Sequence, residues 1–416
     1  MKFNYGKIFL LGFGFFGVSV IWGVYNAFVP IFLAERFHLA PALVGFFMTL
    51  DNIAALLIQP PVGAWSDRLR TPIGRRMPFV LIGAPLAALA FGIIPVAMVL
   101  PLFVACTSTL LLCMALWRTP VVALMPDITP SPYRSQANGI INFMGGVGAI
   151  ASFLGGSALY KMNPDFPFWM GSVLVLLSAL LVFVLIKEPK EYEASEKQPG
   201  MLTSLKEVIQ DKDKSAVRLL LAIFFWFLGY TAIEAFFTLY AKNHLGLDES
   251  EGARLLGQLS FIFVLFALPA GYIGSRAGRR VTISSGIVIM ALLLTTMFFL
   301  PPAILTTGVT RLPVLGGVPV LGLFLMLAGA AWALININSL PMVVDMTEIA
   351  RVGTYTGLYY LFSTLSAIAG PNVNGIIIQA TGNNYNSLML FAPIFMVVAL
   401  VLMLGVKRGE ATQKAS

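Results

Sequence analysis

The chain has 416 residues, of which 58% are hydrophobic and only 11% charged, a balance that a soluble fold cannot keep off its own surface. Lipid is therefore the expected solvent. The 27 Lys and Arg residues against 19 Asp and Glu give a net charge of +8, but the basic residues lie between apolar stretches and form no patch interleaved with aromatics, which argues against nucleic acid as a partner.

A bilayer core about 30 Å thick needs roughly 20 apolar residues per helix. The sequence offers such stretches at Ile8 to Leu33, Pro41 to Trp65, Pro78 to Leu100, Leu102 to Met125, Gln136 to Tyr160, Phe166 to Ile186, Val217 to Tyr240, Leu255 to Ile273, Thr282 to Pro302, Val318 to Val344, Tyr355 to Ala380 and Ser387 to Val406. The first is too long for a secretory h-region and lacks a small-residue cleavage site, so it reads as a retained helix. Most Lys and Arg residues fall in segments on the side of the termini, which by the positive-inside rule places both termini in the cytoplasm of a cell-membrane protein. The one long polar stretch, Glu188 to Lys214, mixes both signs of charge. It divides the chain into an expected first bundle at 1–187, a linker at 188–215 and a second bundle with a short tail at 216–416.

Cys106 and Cys113 are seven residues apart on one predicted helix, about 10 Å of rise, beyond disulfide reach. They read as small packing residues. His38 and His244 fall at helix ends, and the sequence has neither a metal-ligand spacing nor an H-E-x-x-H or G-x-S-x-G motif. No metal, cofactor or enzymatic activity is expected.

The halves repeat one design. A shift of 208 aligns Asn26-Ala27-Phe28 with Glu234-Ala235-Phe236, Pro61 with Pro269 and Gly63 with Gly271; a shift of 218 aligns Asp127 with Asp345, Thr129 with Thr347 and Gly139 with Gly357. Repeats of this kind build transporters whose site lies near the midplane, with access alternating as the halves rock.

Two loops carry a family resemblance. GAWSDRLRTPIGRR runs from Gly63 to Arg76 and GYIGSRAGRR from Gly271 to Arg280; both resemble the signature of the major facilitator superfamily. The insertion before Gly74, with the stretches from Thr119 to Gly139 and from Trp332 to Met346, resembles the sucrose/proton symporter branch and the related glycoside-pentoside-hexuronide:cation symporters. The resemblance implies an all-α major facilitator fold, twelve transmembrane helices in two pseudo-symmetric six-helix bundles, and proton-coupled uptake of a sugar by a monomer. It also implies a cytoplasmic gate built from Gly63, Asp67, Arg68, Gly74, Arg75, Arg76, Asp127, Arg134, Arg276, Arg279, Arg280, Asp345 and Arg351, with Asp67 near Gly353 and Thr354. Topology determination alone is the plainer reading of these arginines, and the paired Gly and Asp spacing favours gating over it. The familiar coupling positions of those relatives are apolar or neutral here, namely Leu111, Val122, Ala55 and Gln59, so the driving group must lie elsewhere.

Ionisable groups inside spans are costly, roughly 2.5 to 3.5 kcal/mol each on insertion scales, and are functional candidates by default. Here they are Asp51, Arg118 and Glu234. By the repeat, Arg118 pairs with Asn336 and Glu234 with Asn26. Ionised, the three sum to −1, and one proton makes the set neutral, which lowers the desolvation cost of exposing it to lipid. Asp51 is the first choice of proton carrier and Glu234 the second; an Asp51–Arg118 structural pair is the other reading. Sugar hydroxyls need amides, carboxylates and an aromatic face, supplied by Asn26, Asn52, Asn138, Asn142, Asn336, Asn338, Trp226, Tyr230, Tyr359 and Tyr360, although helix packing explains any one of these equally well. Trp22, Trp117 and Trp332 read as anchors or core fillers. Glycines of the fifth span and Pro371 suit rocking helices. A proton-driven exporter of drug-like molecules and a non-transporting sensor remain the alternatives.

Overall fold

The computed structural model of the chain describes residues 5–129, 134–188, 201–347 and 351–410. Hydrocarbon offers no partner to backbone N–H and C=O groups, so each apolar stretch satisfies its own by forming helix. In chain order the helices are α1 (Tyr5–Ile31), α2 (Pro41–Phe47), α3 (Leu50–Arg68), α4 (Met77–Ile93), α5 (Leu100–Ile128), α6 (Arg134–Ile150), α7 (Gly156–Met162), α8 (Phe166–Leu185), α9 (Met201–Gln210), α10 (Ser215–Asn243), α11 (Glu249–Ala277), α12 (Arg279–Phe299), α13 (Pro302–Leu305), α14 (Val320–Val344), α15 (Val352–Ala380) and α16 (Leu388–Leu404). Among the described residues they make 12 spans long and apolar enough to cross a membrane, in agreement with the sequence.

Three irregularities interrupt the α-helices. α1 ends in a π-helical turn, Phe32–Arg36, closed by Phe37 N–H donating to Phe32 O at 3.2 Å. There Arg36 Nη1 donates to Pro95 O at 2.6 Å and the guanidinium lies 4.3 Å above the Phe32 ring. A second π turn, Ala151–Gly155, joins α6 to α7. The second span, expected as one helix, breaks at Met48–Thr49. Thr49 Oγ1 donates to Phe46 O at 2.8 Å and accepts from Asn372 Nδ2 at 3.0 Å, a side-chain alternative to the helical ladder. α15, by contrast, runs unbroken through Pro371.

The chain forms two compact units. One comprises Met1–Leu39, Leu50–Ala194 and Asp248–Gly257; the other comprises Ala40–Thr49, Ser195–Leu247 and Gln258–Ser416. The break in the second span is thus also where the chain passes from one unit to the other. In the first unit α1 packs on α6 and α8, and α4 on α5 and α8. The first residues of α11 join it, with Ser157 Oγ donating to Ser250 O at 2.6 Å. In the second unit α10 packs on α15 and α16, and α2 lies along α15.

One element lies outside the all-helical expectation. β1 (Gly308–Leu312) and β2 (Gly316–Pro319) form an antiparallel hairpin between α13 and α14. Gln258 of α11, fully buried, holds it by donating to Leu315 O at 3.1 Å and Gly317 O at 2.9 Å. The stretch read as linker also contains a helix, α9.

Close backbone approach explains one glycine of α6. A Cβ on Gly148 would lie 2.5 Å from Phe16 O of α1, whereas one on Gly139 would meet nothing within 4 Å. Overpacking of this kind costs about 1–3 kcal/mol. Gly148→Leu should therefore lower the melting temperature in detergent by several degrees, while Gly139→Ala should leave it unchanged or raised; differential scanning fluorimetry compares them.

Candidate functional site

In the first unit the loop from α3 to α4 is fixed by an ionic brace. Gly74 has φ +114°, a left-handed conformation that disfavours other residues, and a Cβ there would lie 2.5 Å from the Glu188 carboxylate. That carboxylate accepts from three successive N–H groups at the start of α4: Arg75 at 2.9 Å, Arg76 at 2.9 Å and Met77 at 2.8 Å. It thereby satisfies orphan donors and complements the positive helix end. Arg76, 4% exposed, places Nη2 2.5 Å from Asp67 Oδ1, donates Nε to Asp127 Oδ2 at 3.0 Å and donates Nη1 to Ser66 Oγ. Arg75 Nη2 donates to the other Asp127 oxygen at 2.7 Å. Both oxygens of Asp127 are thus engaged by two arginines. Arg68 is exposed at the end of α3, and the side chain of Arg134 lies outside the described residues.

The second unit repeats the plan with fewer charges. Gly278 has φ +95°; the Glu410 carboxylate accepts from Arg279 N–H at 2.6 Å and Arg280 N–H at 3.1 Å. Arg279 also donates to Asp345 and to Pro341 O at 2.9 Å, and Arg280 Nη2 donates to Leu404 O at 2.6 Å. Ser275 stands where the first copy has Asp67, and bonds only back to Tyr272 O at 2.8 Å. Arg276 instead covers the Tyr272 ring at 4.6 Å, and Arg351 is exposed at the start of α15. Glu188 and Glu410 escaped the sequence reading. Their signal is positional: each is an acidic residue just past the last helix of its half.

Next to this brace Arg408 pairs with Asp211 at 2.9 Å and Asp213 at 2.7 Å, securing the segment that follows α9. The Arg408 hydrogen bond holds the Asp211 carboxyl below its ordinary value of 3.8, and Ser215 does the same for Asp213. Arg408 is correspondingly raised, chiefly by Asp211.

Within the spans, the break in the second places Asp51 in the first turn of α3, where the helix N-terminus favours a carboxylate. Asn52 Nδ2 donates to Asp51 Oδ1 at 2.8 Å, and Tyr25 of α1 is buried. Trp22 meets Tyr25 edge-on at 5.7 Å. Asn26 and Arg118 are half-buried on α1 and α5. Trp117 is fully buried and donates to the Met114 sulfur at 3.1 Å, a core filler as expected.

In the second unit an aromatic group surrounds Trp332. Tyr230 stacks on it at 3.8 Å and 3°. Phe227 meets it edge-on at 5.3 Å and reaches Tyr359 at 6.3 Å. Tyr359 lies 5.3 Å from Tyr360 and shares a hydrogen bond with Ser339 at 3.1 Å. Glu234, half-buried, sits one turn beyond Tyr230 on α10. Trp332 and Phe227 are members that the site reading left out.

Other predicted binders are placed differently. Asn338 is buried, with both amide hydrogens engaged, by Ala270 O and Leu334 O at 3.0 Å each. Asn142 donates to Asn138 O at 2.8 Å, both being exposed. Trp226 is fully buried. Asn336 is half-buried, with its carbonyl accepting from Ser339 at 2.8 Å.

Two outcomes follow. Removing one partner of a largely buried pair strands its charge, at a cost of about 3–5 kcal/mol, so Asp127→Asn should lower thermal stability in detergent more than Asp345→Asn, whose carboxylate is 37% exposed against 12%. For Asp211 and Asp213, depressed pKa values stabilise the folded segment above 3.8 and lose that contribution as pH falls below it. Hydrogen exchange across α9 should therefore be insensitive to pH between 7 and 5 once corrected for intrinsic rates. It should rise with Arg408→Gln at pH 7, or in the native chain below 3.8.

Comparison with known proteins joins this architecture to a family. The Major Facilitator Superfamily model matches residues 11–315 and 255–416. The chain is 22% identical to Multidrug resistance protein 2 of Bacillus subtilis (strain 168) over 400 residues, 93% of this chain and 91% of that protein. It is 33% identical to Sucrose transport protein SUT1 of Oryza sativa subsp. japonica over 89 residues, 21% of this chain and 16% of that protein. The crystal structure of the nucleoside transporter NupG superposes with TM-score 0.75 at 16% identity, covering 97% of this chain and all of that one. Two units with matching braces and 12 candidate spans, matched along nearly their whole length, make this chain a non-enzymatic, multi-pass transporter of the major facilitator superfamily.

Proposed function

We propose that the chain is a proton-coupled sugar symporter of the cell membrane, with both termini cytoplasmic, working as a monomer by alternating access. The observation that carries this reading is the company kept by the two intramembrane carboxylates. Asp51 is hydrogen-bonded to Asn52, and Glu234 lies one turn from the Tyr230–Trp332 stack. A carboxylate, an amide and a flat ring are the groups that bind the hydroxyls and the apolar face of a pyranose. Asn26 and Arg118 in the first unit and Asn336 in the second are half-buried polar groups of their own units. One proton neutralises the net −1 of Asp51, Glu234 and Arg118, which favours passage of the loaded carrier. The braces around Asp67, Arg75, Arg76 and Asp127, and around Arg279 and Asp345, act as gates that exchange partners in each cycle.

A second reading has its own support. A ring stack beside a carboxylate also suits an organic cation, and the multidrug relative matches far more of the chain than the sucrose transporter does. Export of drug-like molecules against protons would use the same two carboxylates.

Proteoliposomes carrying Asp51→Asn or Glu234→Gln separate these readings from error. At least one variant should lose pH-driven accumulation of disaccharide while retaining sugar exchange at equal pH. Undiminished accumulation in both ends the coupling scheme, and transport of ethidium but of no sugar decides for export.

A further inference from the structure

The seam between α10 and α15 carries a ladder of small and hydroxylated residues. Thr231 Oγ1 donates to Phe227 O at 2.9 Å and reaches Ser366 O at 3.4 Å, and a Cβ on Gly370 would lie 2.6 Å from that hydroxyl. Further on, a Cβ on Gly375 would lie 3.2 Å from the Phe236 ring, so the two helices run in the same direction. Ser366, Gly370 and Asn374 recur every four residues on α15, and Thr238 follows Thr231 by seven on α10. Helical periodicity therefore brings Thr238 and Asn374 to the next rung. Ser387 reaches α10 from the third side one turn earlier, level with Glu234. Ala392 of α16 packs on Gly229, and stepping five residues back from it matches stepping five forward to Glu234 on the opposed helix.

Over this turn of α10, from Glu234 to Thr238, the hydrogen bonding around it is incomplete. Thr238 Oγ1, Ser387 Oγ and both amide atoms of Asn374 are buried without a partner, with Asn374 0% and Thr238 1% exposed. Stripping an amide of water with no replacement is strongly unfavourable. The missing partner must accept from Asn374 Nδ2 and donate to Asn374 Oδ1. A cation meets only the oxygen and an anion only the nitrogen. Water meets both, and serves the two hydroxyls as well.

We propose that Thr238, Asn374 and Ser387 bind ordered water in this seam, and that the water delivers protons to Glu234, one turn before Thr238. The delivery step rests on the reading of Glu234 as a proton carrier. Each water takes up one proton and releases another, so the chain of oxygens is unchanged and the Glu234 carboxylate becomes the acid. No other group titrates on α15 between Ser366 and Ile378 or on α2; Tyr230 and Tyr240 flank the level on α10, and Tyr385 precedes Ser387.

The test uses Asn374→Leu, Thr238→Val and Thr238→Ser in the full chain, with Glu234→Gln alongside. Melting temperature, pH-driven disaccharide uptake and disaccharide exchange at equal pH are measured for each. With water bound, Asn374→Leu and Thr238→Val lower pH-driven uptake by about tenfold, the scale of one lost hydrogen bond. Exchange persists, the melting temperature does not rise, and Thr238→Ser behaves as the native chain. A raised melting temperature in Asn374→Leu shows a dry seam and overturns the proposal. Uptake lost in Glu234→Gln but intact in Asn374→Leu overturns the water route while leaving the carrier role standing. Uptake intact in Glu234→Gln removes the carrier role, and the melting temperature then still decides water binding.

Discussion

A charge or backbone group inside hydrocarbon can be neutralised only by another part of the same chain, and the arrangement of this protein follows from that restriction. It keeps charge to 11% of the sequence, gathers much of it at helix ends, and pairs it there. The arginines after α3 face Asp67 and Asp127, while those before α12 face Asp345. Even the starts of α4 and α12 are closed by carboxylates from distant positions, Glu188 and Glu410.

The two braces are copies with different strength. Gly74 and Gly278 make the same left-handed turn and each is followed by an arginine pair. The first copy shares three carboxylates among its arginines and their backbone, whereas the second has replaced the Asp67 equivalent with Ser275. In the second unit Arg408 compensates through Asp211 and Asp213, tying the segment after α9 to the residues after α16.

The spans were legible because lipid imposes a composition over some 20 residues at a time, a signal too long to be overridden locally. The braces were half legible. The Gly, Asp and Arg residues stand close together in sequence, but Glu188 and Glu410 act on helix starts more than a hundred residues away. The break at Met48–Thr49 was hidden because it depends on Asn372 reaching Thr49, and nothing in the apolar run from Pro41 announces it. Asn338 illustrates the opposite failure: an amide in a span reads as a binder, while its two donors serve the packing of α14 against Ala270. The hairpin rests on Gln258, a tertiary contact invisible to periodicity.

In the proposed mechanism the carboxylates inside the spans are neutralised by a proton that travels with an uncharged sugar. The most direct measurement is the current recorded from protein-containing vesicles on a solid-supported membrane when disaccharides are applied at equal pH on both sides. Inward positive charge movement that grows with sugar concentration is the predicted result. Silence toward every sugar, with current elicited by a lipophilic cation instead, would contradict it.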